Sequence, residues 1–281
     1  MQETSGPVVL YALIIMFLGI ALWANSIKAP AKYSSHATPL PKLNGFDLIL
    51  FLLSIYGTVF IVQSIIFQFI PPDFTSTDRG KVISAVISLF SLQGTILFVC
   101  FASSKLYPQS MGFLFPISLK NTIPAFKTAF FYFIKFSPIV IVVSYIWGAA
   151  LLYASKKGLI TLPERQMIVE LFLNTDSTLL LCLLVIATSI LAPIAEELVF
   201  RKVLFSFLQQ ELRFPLALII NGILFSLIHQ NLMSFLPLCF LGSFLGFVYA
   251  KSSDIKVSIF YHSLFNIQTL FLLWLGNDLM R

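Results

Sequence analysis

The chain has 281 residues, 58% of them hydrophobic and only 11% charged, with 30 phenylalanines and a formal net charge of +6. A soluble domain carries roughly 25% charged residues, so there are too few charges here to coat a globule, and lipid must be the solvent for most of the surface. The basic residues lie mainly between apolar runs, so the positive charge is no argument for a nucleic-acid partner. The expected fold class is all-α, a polytopic membrane helix bundle. Cys100, Cys182 and Cys239 each fall within an apolar run, which fits neither a disulfide framework nor a thiolate metal site.

Roughly 20 apolar residues carry a helix across a bilayer core. That ruler predicts about eight spans, at 8–24, 46–70, 82–103, 124–152, 178–200, 215–230, 234–250 and 257–275. The first lacks a basic flank of the kind that marks a cleavable signal and is long enough to stay as a span. The link at 25–45, with Pro30, Pro39, Pro41 and His36, reads as a solvated connector. In span four, Lys127 can snorkel to the headgroups, whereas Lys135 lies deeper and needs a polar neighbour or partner helix. The link at 153–177 contains Leu162-Pro163-Glu164-Arg165-Gln166, a start for a short interfacial helix. Asn231-Leu232-Met233 is a tight hairpin between spans six and seven. With Lys127 and Lys135 set aside, links one, three, five and seven carry ten basic residues and the alternate set six. This favours an outside N-terminus and an inside link after span five. The chain reads as one membrane domain, 1–281, with scaffold spans in 1–177 and functional spans in 178–275.

The chemistry concentrates in three motifs. Thr178 to Ala195 contains no charged residue, and then Glu196-Glu197-Leu198-Val199-Phe200-Arg201 follows. Ionisable groups at such a position are costly and point to function. Residues four apart share a helix face, so Glu197 and Arg201 can pair while Glu196 points elsewhere. Pro193 removes a backbone donor and crowds the carbonyl of Ser189, which distorts the helix. Adjacent carboxylates in different environments separate a structural acid from a catalytic one. His229 lies one turn after Phe225, which would pack behind the imidazole and limit its rotamers. His262 and Asn266 also share a face, and each carries an N–H able to stabilise an oxyanion. Taken singly, each motif also fits a solvated helix end, a structural histidine or interhelical hydrogen bonding. Together they supply a general base (Glu196), a water-orienting partner (His229) and oxyanion donors (His262, Asn266), as water-mediated amide hydrolysis requires. Glu196, His229 and His262 are equally plausible ligands of a divalent metal such as zinc with an open position for water. The compact His-Glu-x-x-His motif is absent, and the residues leave bare glutamate and metal-bound water as alternatives.

At these residues the chain resembles the CPBP family of intramembrane proteases, the CAAX prenyl endopeptidase and bacteriocin-processing (Abi) group. That family's pattern is Glu-Glu-x-x-x-Arg, Phe-x-x-x-His and His-x-x-x-Asn or Asp, met here by Glu196 to Arg201, Phe225 to His229 and His262 to Asn266. The resemblance covers 178–270. It implies an eight-helix membrane protein in which Glu196 and His229 activate water and His262 with Asn266 stabilise the oxyanion. The expected partners are a peptide or membrane-protein substrate and the lipid bilayer, in a prokaryotic cytoplasmic membrane. Two other readings fit some of the features. One is a non-proteolytic scaffold or bacteriocin-immunity protein that keeps the polar cluster for packing. The other is a secondary transporter, which the lack of repeated halves disfavours.

Overall fold

The computed structural model describes residues 13–14, 17–21, 43–115, 117–161, 167–175 and 177–278. The described residues form helices and no strand. The long elements are α1 (Gly45–Gln68), α2 (Asp78–Leu106), α3 (Thr122–Lys156), the helical run α4 (Thr178–Glu211), α5 (Phe214–Leu227), α6 (Phe235–Ser252) and α7 (Ile255–Asp278). All but α5 are long and apolar enough to cross a membrane. The expected all-α, multi-pass membrane architecture is what the chain adopts, with α5 and the partly described helix around 13–21 completing about eight apolar helices. Most of span one, the 25–45 link with His36, and Leu162 to Gln166 lie outside the described residues.

Lipid as solvent explains the surface. On α1 only Leu48 and Phe51 are buried, while Phe46, Tyr56, Phe60 and Phe67 stand exposed. A helix apolar on all sides has no aqueous face to present, which is the pattern of a membrane span.

The described residues fall into two compact units, and each draws helices from both sides of residue 178. The first contains α1, α2 and α4 with the short helices Pro72–Ser76, Pro108–Met111 and Met167–Asn174. Leu48 and Phe51 of α1 and Val99 and Cys100 of α2 form one core with Leu198 and Val203 of α4. The Gln63 amide donates to the Ser88 carbonyl and the Ser91 hydroxyl, both at 2.9 Å. Those bonds lock α1 antiparallel to α2.

The second unit contains α3, α5, α6 and α7. Small residues bring α5 and α6 together. A Cβ on Gly222 would collide with the Cys239 carbonyl and the Ser243 hydroxyl, and one on Gly242 would meet Gly222 Cα and Phe225 Cβ at 2.9 Å. Close backbone approach at small residues is the usual packing device where lipid removes the hydrophobic drive between helices. Ser226 Oγ donates to the Phe235 carbonyl at 2.6 Å, bridging the hairpin that joins the two helices. α3 packs aromatic side chains on the same unit: Phe136 stacks on Phe244 at 4.6 Å, and Phe133 meets Tyr261 edge-on at 6.3 Å. Lys135, expected to need a neighbour, places its ammonium 5.8 Å from the Phe136 ring centroid.

Two boundaries differ from the sequence reading. α5 ends at Leu227 and has 14 residues, about 21 Å of helix at 1.5 Å per residue, so it is shorter than the predicted span 215–230. The helix expected to stop at 200 continues to Glu211, because the charges that suggested an end are satisfied by protein groups. Arg201 and Lys202 therefore leave the inside link in which they were counted, and the ten-to-six basic bias narrows by two.

Gly222→Ala is expected to lower stability by about 1–3 kcal/mol, the cost of overpacking a tight contact. Gly148→Ala on α3, where an added Cβ meets nothing within 4 Å, is expected to be neutral or stabilising. Thermal unfolding of both variants in lipid nanodiscs measures the contrast.

Candidate active site

In the first unit, α4 is not a regular helix. π-helical turns at Ala187–Leu191 and Leu198–Phe205 flank the α-helical Ala192–Glu197 segment that carries Pro193 and the two glutamates. The Ala192 N–H donates five residues back, to the Ala187 carbonyl. Pro193 had been expected to distort the helix, and the distortion takes the form of widened turns on both sides. Such π turns occur disproportionately at functional sites.

Glu197 and Arg201 are fully buried, with Oε2 and Nε 3.0 Å apart. The expected pairing is realised, and away from water it is a strong constraint. Each ion has lost its hydration, so each depends on the other. Glu196, one residue earlier, is half-buried. The adjacent glutamates thus differ in burial, Glu197 fully buried on the guanidinium and Glu196 half-buried with its Oε2 turned inward. Next to the pair, Lys202 Nζ donates to the carbonyls of Phe113 and Leu114 at 2.9 and 3.0 Å. The ammonium thereby caps the short helical turn Gly112–Leu114 and holds it on α4.

In the second unit, Phe225 is fully buried and touches both histidines. Its ring centroid lies 4.9 Å from that of His229 and 5.6 Å from that of His262. His229 stands just past the end of α5, in a turn where its N–H donates to the Ser226 carbonyl at 3.1 Å. Its Nδ1 lies 2.7 Å from the Phe225 carbonyl. A carbonyl oxygen only accepts, so Nδ1 carries a proton, and any lone pair the ring offers is on Nε2. The imidazole is thereby set as a base or ligand through Nε2. His262 is 2% exposed, and Asn266 follows one turn later on α7, half-buried.

The structure thus joins Glu197 to Arg201 in one unit, and Phe225 to His229 and His262 in the other. Within neither unit do three or more described histidine, cysteine, aspartate or glutamate residues gather to hold a metal ion. Three further polar residues stand out in the structure: half-buried Lys202, with its two carbonyl acceptors, and buried Asn221 and Tyr261. Asn221 is fully buried and precedes Phe225 and His229 at the same four-residue spacing, a signal that was present in the sequence. The Tyr261 hydroxyl, fully buried beside His262 in sequence, has no pattern that would have marked it.

An all-α, multi-pass membrane protein with a buried ion pair and a pair of histidines on one buried phenylalanine is the class that fold and site define. Residues 178–268 match the Rce1-like family, described as type II CAAX prenyl endopeptidase Rce1-like. The chain is 36% identical over 84 residues to the protein named "Putative membrane peptidase YdiL" of Bacillus subtilis (strain 168). That alignment spans 30% of this chain and 34% of the relative. No solved structure matches. All three motifs lie within the matched residues 178–268.

Arg201→Met or Glu197→Leu alone is expected to destabilise by about 3–5 kcal/mol, because each leaves an uncompensated buried charge. The double variant is expected to recover much of that loss. A double-mutant cycle followed by unfolding in micelles gives the coupling.

Proposed function

We propose that the protein is an intramembrane endopeptidase that hydrolyses a peptide bond of a membrane-associated protein or peptide. The observation that carries this reading is that the CAAX-endopeptidase match contains the glutamate pair, the Phe-His motif and the His-Asn motif together. The difference between a fully buried Glu197 and a half-buried Glu196 supports it, as does the proton on His229 Nδ1.

In this mechanism Glu196 is the general base. It takes a proton from a water molecule whose oxygen attacks the scissile carbonyl, and His229 accepts a hydrogen bond from that water at Nε2. The carbonyl π electrons move to oxygen, and the Asn266 amide with a His262 ring N–H donates to the resulting oxyanion. Collapse of the tetrahedral species re-forms the carbonyl and breaks the C–N bond. Glu196 returns its proton to the leaving amine, so one water is consumed and the base is regenerated. Glu197 and Arg201 do not touch the substrate. They hold the backbone from which Glu196 projects, and Phe225 restricts both imidazoles.

The test is cleavage of a peptide library, with and without a C-terminal lipid, by purified protein in nanodiscs. Glu196→Gln is expected to fold like the wild type and to lose about 10²–10⁴-fold in rate, the usual weight of a positioned general base. Asn266→Ala is expected to lose about 10²–10³-fold in kcat with little change in KM, as for an oxyanion donor. Full cleavage by a folded Glu196→Gln protein would remove the mechanism. A chelator run in parallel separates a bare-carboxylate water from one bound to an ion held by Glu196, His229 and His262.

A further inference from the structure

We propose that the first unit holds one zwitterionic phospholipid, with a cationic amine in its headgroup and one of its acyl chains lying in a groove between α1 and α2. The groove has a volume of about 430 Å³, within the roughly 300–1,000 Å³ typical of small-molecule sites. Its walls run from Asp47 to Thr58 on α1 and from Phe98 to Leu106 on α2. Asp47 to Thr58 covers about 16 Å of helix at 1.5 Å per residue, half of the roughly 30 Å hydrocarbon core. The groove is therefore one leaflet deep.

Ser54, Thr58 and Ser103 place hydroxyls along its walls, and the charged residue of the described lining, Asp47, lies at one end. Asp47 is in the first turn of α1, where the Asn44 side chain caps the helix by accepting from the Asp47 N–H at 2.7 Å. Antiparallel packing puts that turn beside Tyr107 and Ser110, which follow the end of α2 and also line the groove. The mouth thus carries a carboxylate with a phenol and a hydroxyl, and among the described residues no lysine or arginine lines the cavity. A carboxylate favours a cationic group and repels an uncompensated anion. The two hydroxyls provide neutral donors for a phosphate. A zwitterionic amine phospholipid satisfies all three, whereas an anionic glycerol headgroup leaves Asp47 opposed by like charge.

The groove is tied to the motif helix. Phe51, Val99 and Met111 line it and also belong to the core that contains Leu198 and Val203 of α4. An occupant would fill space against the wall on which the Glu197–Arg201 segment is packed.

The experiment uses the full chain, delipidated in detergent and titrated with phosphatidylethanolamine or phosphatidylglycerol of matched chains, with bound lipid counted by native mass spectrometry. The expected result is one saturable phosphatidylethanolamine, bound at least tenfold tighter than phosphatidylglycerol. Asp47→Asn is expected to erase that preference while retaining binding. Ala102→Phe, which fills the groove, is expected to abolish binding with helicity unchanged; Leu50→Trp serves where that variant does not fold. Equal affinity for the two lipids, or unchanged binding in a folded groove-filling variant, would overturn the proposal. So would displacement of phosphatidylethanolamine by a prenylated peptide, which would assign the groove to a substrate's anchor. None of these outcomes depends on peptidase activity.

Discussion

The buried pair of Glu197 and Arg201 is the constraint on which the motif segment depends. In a chain whose surface is solvated by lipid, neither charge has water to turn to, and at 3.0 Å each stabilises the other. The pair keeps a helix continuous through a stretch where charges would otherwise end it. It also fixes which face of α4 is sealed, and so which face Glu196 occupies. The π turns on either side widen the backbone where Pro193 has removed a donor, and Lys202 ties the far side of the segment to the Gly112–Leu114 turn. A rigid support of this kind suits the base role proposed for Glu196, because misplacement by an ångström costs orders of magnitude in rate.

The second unit solves a parallel problem for the imidazoles. A histidine without a fixed tautomer is an unreliable base, and the Phe225 carbonyl removes the ambiguity at His229 by accepting from Nδ1. The Phe225 ring then restrains both His229 and His262. Gly222 and Gly242 permit the close approach of α5 and α6 that buries the ring at all. One phenylalanine, two glycines and a main-chain carbonyl thus contribute to the placement of two histidines.

Much of this was legible in the sequence because lipid simplifies the code. An apolar run of sufficient length is a span, and a four-residue spacing places two side chains on one face. Glu197 with Arg201 and Phe225 with His229 were both readable in that way. The end of α4 was not, because a charge satisfied by a distant carbonyl looks in sequence like a charge satisfied by water. Lys202 is the case in point, since its partners Phe113 and Leu114 lie some ninety positions earlier. The bond that sets the His229 tautomer is equally silent, because its acceptor is main chain and any residue type supplies it. The groove between α1 and α2 arises from which small and large side chains meet across two helices, and one helix's pattern does not reveal that.

The central chemical claim is that water attacks the peptide directly, with no covalent intermediate on the protein. Cleavage of a membrane-tethered peptide in nanodiscs, run in the presence of hydroxylamine, tests it. The account predicts that every new C-terminus is a free carboxylate, with no hydroxamate at any hydroxylamine concentration. Hydroxamate formation that rises with hydroxylamine would reveal an acyl-enzyme on a side chain and contradict it.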